Sequence, residues 1–431
     1  MTYPEIIRAE LDQAIALALQ NSTAAKYSSR TRKVTQTDII KALIFMEGGS
    51  LQKELHEARL PITSSAFIQR RHRIPSILFE DILTAFNNLH KDRKTYQGYR
   101  VVAIDGTAVN MARDPASRCF VLHAGAPQGY CQLHVNPLYD VLNKTYLDCV
   151  IQPQPQQDEI GALNYFLAWH DFEEKTLIVA DRAYASYNVF ATIQNTPNVD
   201  FLIRVKQGNG AMRPIAELPM MELDQMTSFV LTTTQRNEDK QQKRIFIQTH
   251  KNDQRQYSAK TRAARWDFPS PYPMTLRVVR VLLDTGEYET LATSLPPSFT
   301  AAQIKELYHA RWGIEQAFRE LKYNYGLTNL HGKSEDFVRQ EVSASMIMAN
   351  ACARIINEVA IQKAQRTRYD YQVNQKMAIY LCKRFFRTPG VDGVQLMRDI
   401  ARYTEPVRPG RQDVRNLRIK SFVGFTYRVA A

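Results

Sequence analysis

Residues 99–109, YRVVAIDGTAV, form a short run rich in β-branched residues that ends at Asp105-Gly106, as expected of a buried strand followed by a turn. The pattern returns at residues 176–184, TLIVADRAY, where an apolar run ends at Asp181. Two such strands in one sheet would bring both carboxylates to the same edge. We therefore expect the fold to be organised around these two strands.

Working outward from them, the chain alternates strand-like and helical segments. The order is three strands, a helix, a strand, a helix and a strand, which is the order expected of an α/β fold with an RNase H-like core. Besides the two runs above, the segments are the strands CQLHVNPLYDVL (131–142), TYLDCVIQP (145–153) and DFLIRVK (200–206), and the helices at 159–172 and 185–195.

The rest of the chain is β-rich after this core segment and helical at both ends. Short β-rich runs between residues 207 and 297 predict an inserted β domain, and helical periodicity returns beyond residue 301. The predicted domains are a helical DNA-binding domain at 1–95, the first part of the RNase H-like core at 96–206, the β-rich insertion at 207–297, the second part of the core at 298–360, and a helical, basic C-terminal region at 361–431.

Composition favours a multidomain protein that binds a polyanion. The chain has 431 residues, of which 44% are hydrophobic and 23% charged, as in ordinary globular proteins. Its 56 Lys and Arg against 43 Asp and Glu give a net charge of +13, which makes nucleic acid the first candidate partner.

Targeting and cofactor signals point to a cytosolic protein. The first twenty residues mix charges with apolar residues, unlike a signal peptide or a membrane span, and the five cysteines lack disulfide-type spacing. No Gly-rich phosphate loop is present, so we expect neither a membrane partner nor a nucleotide cofactor.

Two basic segments are candidates for DNA contact. Residues 51–74 are predicted to form a helix, a turn at Leu60-Pro61 and a second helix. That second helix carries Arg70, Arg71 and Arg73, and it suits a helix-turn-helix reader as well as it suits a plain helical hairpin with a solvated basic face. The arginine-rich tail at 408–428 is expected to lie on DNA or to be solvated.

The chemistry of phosphodiester cleavage calls for carboxylates. Two divalent ions about 4 Å apart activate the nucleophile and stabilise the leaving oxygen, and Mg²⁺ prefers oxygen ligands. Strand-end aspartates are also common turn caps, so Asp105 and Asp181 alone do not decide the matter.

A third carboxylate lies in a predicted helix around residues 308–322. There Tyr308, Arg311, Glu315 and Lys322 fall at offsets of three, seven and fourteen residues. At about 100° per residue those offsets return to one face of a helix. The alternative is a solvated stripe with a Glu–Lys pair.

This spacing, Tyr308-(2)-Arg311-(3)-Glu315-(6)-Lys322, resembles the Y-R-E-K signature of DDE transposases in the insertion sequence four family. The resemblance extends to IDGT around Asp105 and DRAY around Asp181, and to FLIRVK at 201–206. It covers roughly residues 100–330.

The resemblance implies residue roles. Asp105, Asp181 and Glu315 would be the catalytic residues and would bind two Mg²⁺ ions, with Mn²⁺ able to substitute. The resemblance also implies DNA contacts near the cut, made by Tyr308, Arg311 and Lys322, and phosphate contacts made by Arg204 and Lys206.

The implied activity is cut-and-paste transposition. The protein would bind the inverted terminal repeats of a bacterial insertion sequence, cleave strands there and join the 3′ ends to target DNA. Double-stranded DNA and a second copy of the chain would be its partners, in the bacterial cytoplasm at the nucleoid. The alternatives are a catalytically silent DNA-binding relative and a nuclease without strand transfer.

Two further features bear on the chemistry: a stacking residue in the insertion and a second set of side chains able to bind metal. Hairpin-forming relatives hold a flipped base against a Trp in the insertion, where this chain has Tyr288 and Glu289, so the stacking residue is Tyr288, Trp266 or absent. A second set of side chains could bind metal, but its spacing fits no common zinc site. That set is Cys119, His123, Cys131 and His134.

Overall fold

A computed structural model describes residues 1–22, 33–208, 210–247, 266–361 and 370–407, and the backbone of 426–427. The strands are β1 Arg100–Ile104, β2 Thr107–Met111, β3 Phe120–His123, β4 Ala126–Asp140, β5 Thr145–Pro153, β6 Thr176–Ala180, β7 Val199–Arg204, β8 Leu223–Thr232, β9 Ile245–Phe246, β10 Tyr272–Leu282, β11 Tyr288–Thr293, β12 Asn329–Leu330, β13 Tyr371–Val373, β14 Thr404–Pro406 and β15 Thr426–Tyr427. The helices are α1 Tyr3–Asn21, α2 Gln36–Phe45, α3 Leu51–Glu57, α4 Ser64–Arg71, α5 Ile77–Asn88, α6 Glu159–Trp169, α7 Tyr187–Gln194, α8 Arg213–Ala216, α9 Asn237–Gln241, α10 Ala301–Ala310, α11 Trp312–Tyr323, α12 Glu335–Asn357, α13 Gln375–Arg387 and α14 Gly393–Arg402.

The centre of the fold is a mixed sheet. Strands β1, β6 and β7 run parallel, and β4 pairs antiparallel with β1 on one side and with β5 on the other. The chain order of strands and helices through this region is the one predicted from the sequence, and it agrees with an RNase H-like core. Strand β2 continues the line of β1 along β4 in the same register, so the turn expected after Asp105-Gly106 is not present. The hairpin of β3 with β4, on the other side of β4, is an addition that the sequence did not predict.

The β-rich segment that follows β7 continues the same sheet. Strand β11 pairs antiparallel with β7, and β10, β8 and β9 follow in that order. The predicted strands between residues 207 and 297 are therefore confirmed as strands, and they extend the core sheet instead of forming a sheet of their own. Whether this segment is a separate domain stays a prediction.

Helices cover both faces of the parallel strands, which explains why those strands are apolar along their whole length. Val102 and Ile178 point to one face and pack with residues of α6 and α7. Val101 and Val179 point to the other face and pack with Ile304 and other residues of α10. Fully buried strands of this kind are rigid supports for residues at their ends.

The N-terminal helices do not have a core of their own. Residues of α1, α2 and α5 belong to one hydrophobic cluster with α11, α12, α13 and the face of β2, β4 and β5. The long helix α12 is buried along most of its length, at the centre of this cluster. The hydrophobic core is thus continuous across the predicted boundary at residue 95.

The predicted helix-turn-helix segment consists of α3, a turn and α4. Helix α4 begins after Thr63, whose hydroxyl accepts the Ala66 N–H at 3.2 Å. The second helix predicted after Leu60-Pro61 is thus confirmed, and Thr63 caps its start. The role of the segment in DNA binding stays a prediction, and the predicted DNA contact at 408–428 falls outside the described residues except for the backbone of 426–427.

One predicted DNA-contacting residue in α4 is part of the core. The Arg71 guanidinium is 2% exposed and forms an ion pair with Glu341 of α12 at 3.0 Å. It also donates to the Phe337 carbonyl at 2.6 Å and to Gln340 at 2.7 Å. The prediction that Arg71 contacts DNA is therefore wrong, because its side chain ties α4 to α12.

No helix in the described ranges is long and apolar enough to span a bilayer.

We expect Arg71→Ala to lower the free energy of unfolding by about 3 kcal/mol, because it leaves the buried Glu341 carboxylate without its charged partner. Urea denaturation followed by circular dichroism measures this. The matched control is Arg73→Ala, at an exposed position of the same segment, with an expected loss of less than about 0.5 kcal/mol. Equal effects of the two substitutions would contradict the structural role of Arg71.

Candidate active site

The two predicted catalytic aspartates follow neighbouring parallel strands. In the pairing of β1 with β6, Val102 lies opposite Ile178 and Ala103 lies opposite Val179. Asp105 and Asp181 each come two residues after the second pair, so equal registers carry both to the same edge of the sheet. Because adjacent strands are about 4.8 Å apart, the two carboxylates face one region.

Asp105 is held at the end of β1 in a poorly solvated position. Its Oδ1 accepts the Gly106 N–H at 2.8 Å. Burial raises the pKa of Asp105 to about 6; the Gly106 N–H and the charge of Arg311 lower it, whereas the charges of Asp181 and Glu159 raise it. A carboxyl group with this pKa sits among negative charges that a cation would neutralise.

Asp181 caps a short 3₁₀ turn, Arg182–Tyr184, and its Oδ1 accepts the Ala183 N–H at 2.7 Å. The turn directs the Tyr184 side chain into the core beneath the acidic groups. Burial raises the pKa of Tyr184 well above its ordinary value, and the charges of Glu159, Asp105 and Asp181 add to the effect. Asp181 thus caps a turn, which is the alternative role considered for a strand-end aspartate. It also faces the candidate site.

The helix expected around residues 308–322 is two helices that meet at Arg311. Helix α10 ends at Ala310 and α11 begins at Trp312, and the Arg311 N–H donates to the Tyr308 carbonyl at 3.1 Å, an i to i−3 bond. The prediction of one continuous helix is wrong for this reason. Glu315 lies in the first turn of α11, where a carboxylate is favoured by the helix dipole.

Arg311 links two of the three predicted metal ligands. Its Nη1 lies 3.7 Å from Asp105 Oδ2, and its Nη2 lies 3.2 Å from Glu315 Oε1. Burial alone would lower the pKa of Arg311, but Tyr308, Glu315 and Asp105 raise it above its ordinary value. The guanidinium therefore stays charged and lies between the carboxylates.

Tyr308 is buried, with 4% of its surface exposed. It contacts Arg311, whose guanidinium carbon lies 5.8 Å from the ring centroid. The contact of Tyr308 with DNA stays a prediction, and in this structure its phenol is buried. Its contact is with Arg311.

Lys322 is half-buried beside the site. Its Nζ donates to Thr107 Oγ1 at 2.7 Å, which ties α11 to the start of β2. Burial lowers the pKa of Lys322. The signature lysine is thus bonded to a residue two positions after Asp105.

The other predicted DNA-contacting residues lie at the surface. Arg204, at the end of β7, pairs with Glu289 at 3.5 Å, and Lys206 is exposed two residues later. In α4 and just beyond it, Arg70 donates to the Val34 carbonyl at 2.7 Å and Arg73 is exposed.

No group of three or more His, Cys, Asp or Glu side chains within the described ranges stands at metal-binding distances. At the candidate site, the Arg311 guanidinium lies between Asp105 and Glu315. The donor set fits a hard divalent cation, since it consists of carboxylate oxygens at one sheet edge.

Two residues of the site were not identified from the sequence. Glu159, the first residue of α6, is hydrogen-bonded to the His134 ring on β4, with 3.1 Å between Oε1 and Nε2. Both lie close to Gly106. Only IDGT pointed to this stretch of chain, and nothing in the local sequence indicated that residues 134 and 159 pack against it.

The candidate stacking residues lie in different settings. Trp266 packs with Phe268 and Tyr272 in an aromatic cluster, at centroid distances of 5.3 and 5.2 Å. Tyr288 begins β11, and its carbonyl accepts from Gln207 at 2.7 Å. Neither contact identifies a stacking residue.

Comparison with known proteins agrees with this geometry. The model of the family described as "Transposase DDE domain" matches residues 96–351, which include all three acidic residues. The chain therefore belongs to the DDE transposase family. It is an enzyme of that type, which acts on DNA with divalent metal ions.

The structural comparison adds a distant likeness. It includes a cryo-EM structure of a piggyBac transposase synaptic complex with hairpin DNA, with 11% identity, a TM-score of 0.44, and coverage of 95% of this chain and 84% of that one. The comparison with curated proteins finds no match.

We expect Asp105→Asn to stabilise the metal-free protein at pH 7.5 by on the order of 1 kcal/mol. The pKa of Asp105 in the folded protein is about 6, above its ordinary value of 3.8. The stabilisation from this group is therefore present at low pH and is lost as pH rises toward 6 and above. Asparagine cannot ionise, so it removes this loss of stability at high pH, and its side-chain oxygen can still accept the Gly106 N–H.

Thermal unfolding in chelator at pH 4.5 and pH 7.5 tests this expectation. The gain should appear at the higher pH and fade at the lower one. Asp284→Asn, in an exposed turn after β10, is the control. A less stable Asp105→Asn protein at pH 7.5 would contradict the electrostatic account.

Proposed function

We propose that the chain is a transposase of the insertion sequence four family that cleaves the inverted terminal repeats of its element and joins the 3′ ends to target DNA. The observation that carries the proposal is the placement of Asp105 and Asp181 after neighbouring parallel strands, with Glu315 joined to Asp105 through Arg311. The spacing from Tyr308 to Lys322 supports the family assignment.

Asp105, Asp181 and Glu315 are the residues that would bind two Mg²⁺ ions, with Mn²⁺ as a substitute. When bound, such ions activate an oxygen nucleophile and stabilise the leaving oxygen. The carboxylates suit this role because they are anchored on rigid elements: two on buried strands and one on a helix that packs against the core. Ligand side chains that are already held in place avoid a large entropic cost when metal binds.

Arg311 has two roles in this proposal. In the structure it neutralises Asp105 and Glu315. If bound cations neutralised those carboxylates, the guanidinium could bind a DNA phosphate, for which a planar fork of donors is well suited. Tyr308 then acts by supporting Arg311.

The DNA backbone would be held by five basic residues: Lys322, Arg204, Lys206, Arg70 and Arg73. Such contacts set the position of the duplex and carry no base information of their own. Base recognition falls to the helical domain at 1–95, with α3 and α4 as its reader. The β-rich insertion at 207–297 separates the two parts of the catalytic core.

We further propose a homodimer on paired ends, because transposition joins two ends in one reaction. Its place of action is the bacterial nucleoid. The alternatives, a silent relative and a nuclease without strand transfer, differ from this proposal in their products, since the same site would serve cutting and joining.

We expect Asp181→Asn to bind a terminal-repeat duplex as tightly as the wild type and to lose strand cleavage in Mg²⁺. A metal ligand supplies several kcal/mol of transition-state stabilisation, so the rate should fall by about 10³-fold or more. Gel shift and nicking assays on the same duplex measure the two effects.

Asp171→Asn, in the exposed loop before β6, is the matched control and should cleave normally. Cleavage by Asp181→Asn at the wild-type rate would remove Asp181 from the site. Cleaved ends without joined products would favour the nuclease, and normal binding without cleavage by the wild type would favour the silent relative.

We expect Lys322→Met to weaken DNA binding and to reduce the slope of log affinity against log salt by about 0.9, because one phosphate contact is lost. Fluorescence anisotropy across a salt series measures the slope. Lys91→Met is the control, because Lys91 is 72% exposed and pairs with Glu173 just before β6, at the opposite end of the parallel strands from Asp181. An unchanged slope for Lys322→Met would contradict the proposed contact.

A further inference from the structure

A second acidic side chain approaches Gly106, the residue after Asp105. Glu159 begins α6, and its Oε1 lies 3.1 Å from Nε2 of His134 on β4. The His134 side chain is 8% exposed and the Glu159 side chain 33%. The pair therefore joins the N-terminus of α6 to the central sheet and keeps part of the carboxylate open to solvent.

Gly106 is in direct contact with this pair. A Cβ placed on Gly106 would lie 2.3 Å from His134 Nε2 and 2.5 Å from Glu159 Oε1. Those separations are too short for any side chain. The absence of a side chain at residue 106 is what allows the His134–Glu159 pair to pack against the peptide that bonds Asp105.

The surroundings of the pair are those of the catalytic site. Glu159 packs against Gly106, the residue that follows Asp105 and donates its N–H to the Asp105 carboxylate. Tyr184, three residues after Asp181, is 1% exposed, and its hydroxyl has no hydrogen-bond partner among the described residues. A buried hydroxyl without a partner calls for an explanation, and a ligand or water bound at this site would supply one.

We propose that Glu159, held by His134, is a positioning residue of the catalytic site, which supports the Asp105-Gly106 peptide and adds negative charge that strengthens divalent-ion binding. The inference rests on the proposed metal-binding role of Asp105, Asp181 and Glu315. Glu159 acts through Asp105 and through its charge, in the manner of outer groups that orient and tune metal ligands.

The effect of the Glu159 charge can be tested separately from the effect of its hydrogen bond to His134. Glu159→Gln removes the charge and keeps the size and an oxygen for His134. We expect it to weaken Mn²⁺ binding by about tenfold, within the range for outer groups of metal sites, and to leave the melting temperature in chelator within a few degrees. Calorimetric titration of the full-length protein with Mn²⁺ alone measures this without an activity assay.

The support given by His134 is tested with two variants. His134→Ala should weaken Mn²⁺ binding by a similar factor, because Glu159 loses its partner. His134→Gln, which retains an N–H for the carboxylate, should restore most of the affinity. Equal affinities for these two variants would contradict the positioning role.

The control is a similar pair at the far end of α6. His170 Nδ1 lies 3.7 Å from Asp148 Oδ2, and Asp148→Asn should bind Mn²⁺ as the wild type does. Asp181→Asn is the reference for loss of a ligand. If it weakens Mn²⁺ binding and Glu159→Gln does not, the role of Glu159 is wrong and the proposed function stands; if neither weakens binding, the proposed metal site is wrong as well.

Discussion

The parallel pairing of β1 with β6 is the constraint on which the rest of the site depends. It brings Asp105 and Asp181 to one sheet edge, and buried apolar residues on both faces prevent the strands from moving apart. Like charges at close range in a poorly solvated site oppose folding, and the raised pKa of Asp105 reflects that cost. The surrounding core must therefore hold this sheet edge together, and a cation must balance its negative charge.

In this structure the cation is Arg311. It lies where α10 meets α11, and it spans the gap between Asp105 and Glu315. On α11, Glu315 pairs with this guanidinium and Lys322 donates to Thr107, so both side chains reach the region beside Asp105. An arginine between two carboxylates offsets their negative charge, which favours the folded protein.

The boundaries between the predicted domains are less sharp in the structure than the sequence indicates. The sheet runs without interruption from β5 through β7 to β9, and the core runs from α1 to α14 across the predicted boundary at residue 95. The buried pair of Arg71 and Glu341 joins α4 to α12 across that boundary. The helices before residue 95 are therefore packed into the same core as the elements after it.

The sequence by itself determined which strands end in Asp105 and Asp181, where the helices of the core lie, and that Glu315 belongs to a signature with Arg311 and Lys322. Periodicity and fixed spacing are local properties, so they can be found in the chain alone. Only the tertiary structure decided that Arg71 and Tyr308 are buried, that Arg311 lies between two carboxylates, and that His134 and Glu159 meet at Gly106. Each of these depends on contacts between residues far apart in the chain, and an arginine on a helix has the same local pattern whether it faces solvent or a buried glutamate.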